Sequence, residues 1–154
     1  MKQIFHDDSM NFGKIAIHPF LLGLLSAFDN RYQASADKFF EEITWKQFFA
    51  IICINLCVEN PTLNELSDIM GTSHQNAKQI LLKLEKVGFV TLEKDEKDKR
   101  KQRIVLTEKC KKFCEEHEEG SNQIISKIFD GIDERNIMVS IRTIIAMEEN
   151  LNKI

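Results

Sequence analysis

The chain has 154 residues, of which 43% are hydrophobic and 29% charged, with only six Gly and two Pro. That length and balance predict one globular domain with a sizeable core, and they exclude disordered, collagen-like and turn-rich sandwich architectures in favour of helices. A formal charge of −3 sets up no global basic field, so a nucleic acid or anionic membrane would have to be met by a local patch.

The opening MKQIFHDDSMNF is a polar leader without the apolar stretch and cleavage site of a secretory signal. No later run approaches the roughly eighteen apolar residues of a membrane span. A cytoplasmic protein with no membrane partner is expected, and His6 in the leader is assigned no role. His18-Pro19 opens the first helix, which the stripe of Phe20, Leu21, Leu24, Leu25 and Phe28, widened by Leu22, carries to about Phe40 with some interruption. It holds more apolar surface than one small core needs.

Thr44-x-x-Gln47 has the form of a capping box and starts a second helix through Val58, apolar almost all round and ended by Glu59-Asn60-Pro61. Thr62-x-x-Glu65 is another such box, opening a short third helix with Leu66, Ile69 and Met70 on one face and Gly71 as its stop. Ser73 is the expected N-cap of a fourth helix whose apolar face is Ala77, Ile80, Leu81, Leu84 and Val87, closed by Gly88. The period then becomes extended: Phe89-Val90-Thr91-Leu92 and Arg103-Ile104-Val105-Leu106 read as strands around a charged loop from Glu93 to Gln102. From Thr107 helical spacing returns through Cys110, Phe113, His117, Ile124, Ile128 and Ile132, with Gly120 and Gly131 as weak points. A last helix spans about Asp133 to Asn152, its stripe formed by Ile137, Ile141, Ile144, Ile145 and Leu151. The fold class is therefore mainly α with a small β-hairpin wing.

Helix, Gly-containing turn, helix, basic hairpin is the order of a winged helix-turn-helix. The stretch from Leu63 to Thr107 resembles the MarR family of bacterial transcriptional regulators. Leu63-Asn64-Glu65-Leu66, Leu84-Glu85-x-x-Gly88-Phe89-Val90 and Asp98-x-Arg100-x-x-Arg103 leading to Leu106-Thr107 carry the likeness. The resemblance implies a homodimer, with dimerisation helices in 15–43 and 108–154 around a DNA-binding lobe in 44–107. It also implies a repressor of a pseudo-palindromic double-stranded operator, relieved by a small effector, often an aromatic acid. Two recognition helices of such a dimer must sit about 34 Å apart to read successive major-groove faces.

The residues support the same reading independently. The start of the fourth helix offers Ser73, His74, Gln75, Asn76, Lys78 and Gln79, hydrogen-bonding types suited to base edges and phosphates, where an ordinary solvated face would be richer in Glu and Lys. Residues 94–103 hold six bases against three acids, a net of +3 that leaves −6 on the rest of the chain. Lys97, Lys99, Arg100, Lys101 and Arg103 are the candidate wing contacts, with internal pairing as the alternative for Arg103. By the resemblance, Asp98 braces the wing and Arg100 approaches the minor groove; Asp95 and Glu96 depart from a purely basic tip, and the alternatives for them are weaker binding or selection of ionic conditions.

Eight of the eleven Phe lie before residue 50, with the single Trp and Tyr, so an effector site near the dimer junction would be aromatic; packing of the dimer core is the competing use of these rings. No Gly-rich phosphate loop, nucleophile elbow or metal-protease helix points to an enzyme, and no cofactor or metal is expected. The alternatives are a winged helix used for protein contact, for which an exposed Leu82 would argue, and a redox- or metal-responsive regulator. The latter would use Cys110, set among Lys109, Lys111 and Lys112, or Cys114 and His117, with His18 as a further ligand. Cys53/Cys57 and Cys110/Cys114 are each four apart, where helical Cβ atoms lie about 5–6 Å apart and a disulfide wants about 3.8 Å, so thiols packed as small hydrophobes are expected. Cys53 and Cys57 are both expected to be buried.

Overall fold

A computed structural model describes residues 16–154. The polar leader, His6 and the first residue of the 15–43 segment lie outside the described residues. Contacts divide the chain into two compact units, one running through Cys110 and one comprising Lys111–Ile154.

The first unit holds α1 (Ile17–Ala36), α2 (Trp45–Leu56), α3 (Leu63–Ile69), α4 (His74–Lys86), β1 (Val90–Lys94) and β2 (Gln102–Leu106). Both capping boxes form. The Thr44 N–H donates to Gln47 Oε1 at 2.8 Å and the Gln47 N–H to Thr44 Oγ1 at 3.4 Å, and Thr62 and Glu65 repeat the exchange at 2.7 and 3.4 Å. Ser73 Oγ accepts the Asn76 N–H at 3.2 Å to cap α4. Each box satisfies two of the amides that a helix start leaves without intrahelical partners, so the elements begin where the sequence places their caps.

Glycine ends α3 and α4 by one mechanism. At Gly71 (φ 61°) the Gly71 N–H reaches Asp68 O and the Thr72 N–H reaches Ser67 O; at Gly88 (φ 77°) the Gly88 N–H reaches Glu85 O and the Phe89 N–H reaches Leu84 O. These are Schellman closures, which need a left-handed residue and hence glycine. The first sets the tight turn between α3 and α4. The second turns the chain directly into the hairpin, where Phe89 and Val90 are buried.

β1 and β2 pair antiparallel, with Val90 opposite Leu106, Leu92 opposite Ile104 and Lys94 opposite Gln102. The ladder thus takes in Glu93, Lys94 and Gln102, which sequence assigns to the loop, because their side chains stay in solvent while their backbones pair. The other edge of β2 is tied to the segment before α3, as the Ile104 N–H donates to Pro61 O at 2.8 Å. The core of the unit is Ile51, Leu66, Leu84, Phe89, Val90 and Ile104, joined by Pro61 and Cys53.

Two boundaries and one burial differ from the sequence reading, with α2 ending at Leu56 rather than running through Val58. α1 stops at Ala36 rather than near Phe40, because the next residues turn over: Phe40 is buried with its ring 4.5 Å from that of Phe48, and Asp37 Oδ1 accepts the Trp45 N–H at 2.5 Å. Cys57 is only half-buried, since it sits at the C-cap of α2, its thiol donating to Cys53 O. No residue of α1 is buried, and Leu22 and Phe28 are exposed.

α5 (Glu108–Ile128) starts in the first unit, with Thr107 Oγ1 accepting the Cys110 N–H, and continues into the second. It passes through Gly120 without a break, as one interior glycine costs a helix only about 1 kcal/mol. Gly131 (φ 72°) makes the turn to α6 (Glu134–Leu151), which Asp133 caps through the Arg135 N–H at 2.8 Å. No residue of α6 is buried, and Met138, Ile141, Ile144 and Ile145 are between 39% and 49% exposed.

Because Leu84 is fully buried at the Schellman closure of α4, Leu84→Ala is expected to cost about 2–5 kcal/mol. Thr62→Ala, which removes a cap, is expected to cost about 1 kcal/mol. Urea midpoints at unchanged slope check both.

Candidate nucleic-acid interface

α4 is two-faced. Ala77, Ile80, Leu81 and Leu84 are buried, while His74, Gln75, Asn76, Lys78 and Gln79 are all exposed. By the 3.6-residue period, Gln75, Lys78 and Gln79 stand opposite the core, and His74 and Asn76 lie on the flanks. Asn76 is also turned back on its own turn, its amide donating to Thr72 Oγ1 at 2.7 Å. The amides therefore divide: Gln75 and Gln79 face away from the protein, whereas Asn76 supports the helix start. Ser73 does the same as N-cap.

The hairpin tip is organised by two carboxylates. Asp95 Oδ1 accepts the N–H groups of Lys97 at 2.8 Å and Asp98 at 2.7 Å, and its Oδ2 accepts Nε–H of Arg103 at 2.5 Å. The Asp95 N–H donates to Lys101 O at 3.0 Å and closes the loop. Asp98 Oδ1 accepts both the backbone N–H and the Nε–H of Arg100 at 3.1 Å, and Asp98 O accepts the Lys101 N–H at 2.8 Å. Asp98 thus shapes the tip and steadies Arg100, whose side chain is 91% exposed. Lys97, Lys99 and Lys101 project into solvent around it.

Arg103, grouped with the wing contacts by sequence, faces inward instead. Its Nη1 donates to Asn60 O at 3.0 Å and Glu65 Oε2 at 3.1 Å while Nε holds Asp95. One guanidinium spans the wing, the cap of α3 and the segment before α3. Its side chain is 24% exposed and its Nε and Nη1 donors are directed at protein acceptors, so it acts as a strut. Asp95 is accordingly a second wing brace and is buried, where sequence reads it as a departure from a purely basic tip. The signal that finds it is an acid and a base flanking the two ends of one hairpin tip.

The electrostatics follow these bonds. Amide donors, led by the Asp98 N–H, together with the Arg103 guanidinium hold Asp95 far below its ordinary 3.8, at about 2. The Thr62 hydrogen bonds, backbone first, and then Arg103 lower Glu65; the Arg100 bonds lower Asp98.

No family model matches the sequence, and no curated protein matches it. Solved structures do match in shape. A MarR/EmrR family transcriptional regulator from Acinetobacter sp. ADP1 is 15% identical with a TM-score of 0.80, over 91% of this chain and 100% of that one. The fold is that of the MarR regulators. FabT of Streptococcus pneumoniae, solved in complex with DNA, is 19% identical with a TM-score of 0.64, over 88% of this chain and 98% of that one. BpsR of Bordetella bronchiseptica, whose DNA binding is regulated by 6-hydroxynicotinic acid, is 17% identical with a TM-score of 0.72, over 90% of this chain and 96% of that one.

Within the MarR fold, the aromatic residues before position 50 are partly gathered at one place. Tyr32 of α1 meets Trp45 edge-on at 4.7 Å, and with Phe49, Met70 and Asn76 these line a cleft of about 360 Å³ beside the α3–α4 turn. The cysteine sites are arranged differently from the redox alternative. Cys110 is fully buried despite its lysine neighbours, the opposite of the accessible setting a reactive thiol needs, and burial pushes the Cys53 thiol up. His117 donates through Nδ1–H to Phe113 O, 2.9 Å away, and its ring lies against Phe113. Among the described residues no three His, Cys, Asp or Glu side chains converge to hold a metal ion. No described helix is long and apolar enough to cross a membrane.

A folded value near 2 against an ordinary 3.8 means that the stabilisation from Asp95 is complete above about pH 4 and is lost as the pH falls from about 4 to about 2. An NMR titration of the Asp95 carboxyl is expected to give a midpoint near 2 in wild type and a higher one in Arg103→Leu. A wild-type midpoint at the ordinary value would contradict the brace.

Proposed function

We propose that this chain is a homodimeric, sequence-specific DNA-binding transcriptional regulator of the MarR family, a cytoplasmic bacterial repressor relieved by a small aromatic effector. One observation carries the reading: the compact unit that has the fold of DNA-binding regulators presents an amide- and lysine-bearing helix face together with a basic hairpin whose tip is braced by internal carboxylates. Bracing matters because ordering a flexible loop on DNA costs conformational entropy, and a preformed tip has already met that cost.

In this reading Gln75, Lys78 and Gln79 enter the major groove, with His74 and Asn76 at its margins. Lys97, Lys99, Arg100 and Lys101 approach the flanking backbone and minor groove. Segment 44–107 is the DNA-binding lobe. The exposed apolar residues of α1 and α6 supply surface for a second copy in segments 15–43 and 108–154. The Tyr32/Trp45 cleft receives the effector, whose occupancy bears on α4 through Asn76 and Thr72. The BpsR structure gives a precedent for such control.

Lys78→Ala and Arg100→Ala are each expected to weaken duplex binding and to lower the salt slope by about 1. Unchanged affinity and slope in both variants, measured by fluorescence anisotropy from about 50 to 200 mM salt, would sink the interface assignment. Selection from a random duplex library is expected to return a pseudo-palindrome with half-site centres about 10–10.5 base pairs apart. Sedimentation of a stable monomer at micromolar concentration would remove the dimer.

A further inference from the structure

Leu82 stands out on the outward face of α4. It is 47% exposed on a face otherwise made of Gln75, Lys78, Gln79 and Lys86. An isolated exposed leucine is ordinary on protein surfaces, so its register is what matters. Gln75, Lys78, Gln79 and Leu82 are spaced i, i+3, i+4, i+7, opposite the buried Ala77, Ile80, Leu81 and Leu84. This is the spacing at which a groove-inserted helix presents base contacts over two turns. At about 1.5 Å per residue, Leu82 lies about 10 Å along the axis from Gln75, or about three base-pair steps.

A leucine side chain has no hydrogen bond to give, and the major groove offers one apolar feature, the thymine C5-methyl group. The neighbours select the groove over a protein surface. Its i−4, i−3, i+3 and i+4 positions are Lys78, Gln79, Glu85 and Lys86, all polar, with Lys78 and Lys86 basic, where a helix docking on a protein would continue an apolar stripe. We propose that Leu82 reads a thymine through its C5-methyl group and is a specificity-determining residue of the DNA interface. The inference rests on the DNA-binding reading above.

The test is a thymine-to-uracil scan of the selected duplex, since uracil pairs identically and lacks only the methyl group. One position in each half-site is expected at which uracil weakens wild-type binding about fourfold, the value of one buried methyl-sized group. Leu82→Ala is expected to lose a similar factor on the thymine duplex and to become indifferent to uracil at that position alone, while Leu82→Met keeps the sensitivity. The side chain is exposed, so Leu82→Ala should keep the wild-type circular dichroism and melting temperature. Uracil penalties identical in wild type and Leu82→Ala would overturn the assignment, as would unchanged binding of the thymine duplex by Leu82→Ala. Unchanged DNA binding with loss of self-association would assign Leu82 to a protein contact instead. Failure of the wild type to select any duplex contradicts the DNA-binding reading itself, whereas an uncoupled scan on a well-bound duplex contradicts only the role of Leu82.

Discussion

The geometry of the wing depends on the guanidinium of Arg103. Two stretches of chain meet at this one group: the hairpin, through Asp95 at its tip, and the start of α3, through Glu65 of the capping box and Asn60 O just before it. Glu65 is shared, because the same Oε2 that accepts from Arg103 also accepts the Thr62 N–H at 2.7 Å. Helix initiation and wing placement are thereby one network. A planar group with forked donors suits this junction, and lysine, a single point charge, could not hold all three acceptors in a fixed arrangement. The backbone bond from Ile104 to Pro61 O acts beside it, so β2 is pinned to the helix-turn-helix by both side chain and main chain.

This constraint sorts the charges of residues 94–103. Arg103 and Asp95 neutralise one another inside the fold, and Arg100 is steadied by Asp98 yet remains exposed. The local excess of +3 is therefore carried outward by Lys94, Lys97, Lys99, Arg100 and Lys101 against Glu96 and Asp98. The rest of the chain is net acidic, which limits nonspecific attraction to a polyanion and concentrates it at the hairpin. Sequence choice then falls to the outward face of α4, where amides, a lysine and one leucine present different chemistry to the base edges.

Features whose cause is local were legible in the sequence. The two capping boxes, the Ser73 cap and the glycine stops at Gly71 and Gly88 all depend on residues within a few positions of one another, and the elements between them follow from apolar spacing. The basic tip and the exposed face of α4 were legible for the same reason. What sequence reading misplaced depends on partners far along the chain. Asp95 looks like a loop charge, and internal pairing of Arg103 stays one of two alternatives, until Glu65 and Asn60 are brought to them; the burial of Cys110, by contrast, agrees with the expected packing of the thiols as small hydrophobes. The end of α1 was misread because Phe40 gains more by burying its ring beside Phe48 than by extending an exposed helix.

Backbone amide spectra on addition of the selected duplex, recorded for wild type and for Arg103→Leu, test most directly whether α4 and a wing held by Arg103 together form the DNA-binding surface. In wild type, the amides of residues 73–79 and 96–101 are expected to shift, and in Arg103→Leu those of α4 are expected to respond while those of the wing do not. A wing response unchanged in Arg103→Leu, or wild-type shifts confined to α5 and α6, would contradict the account.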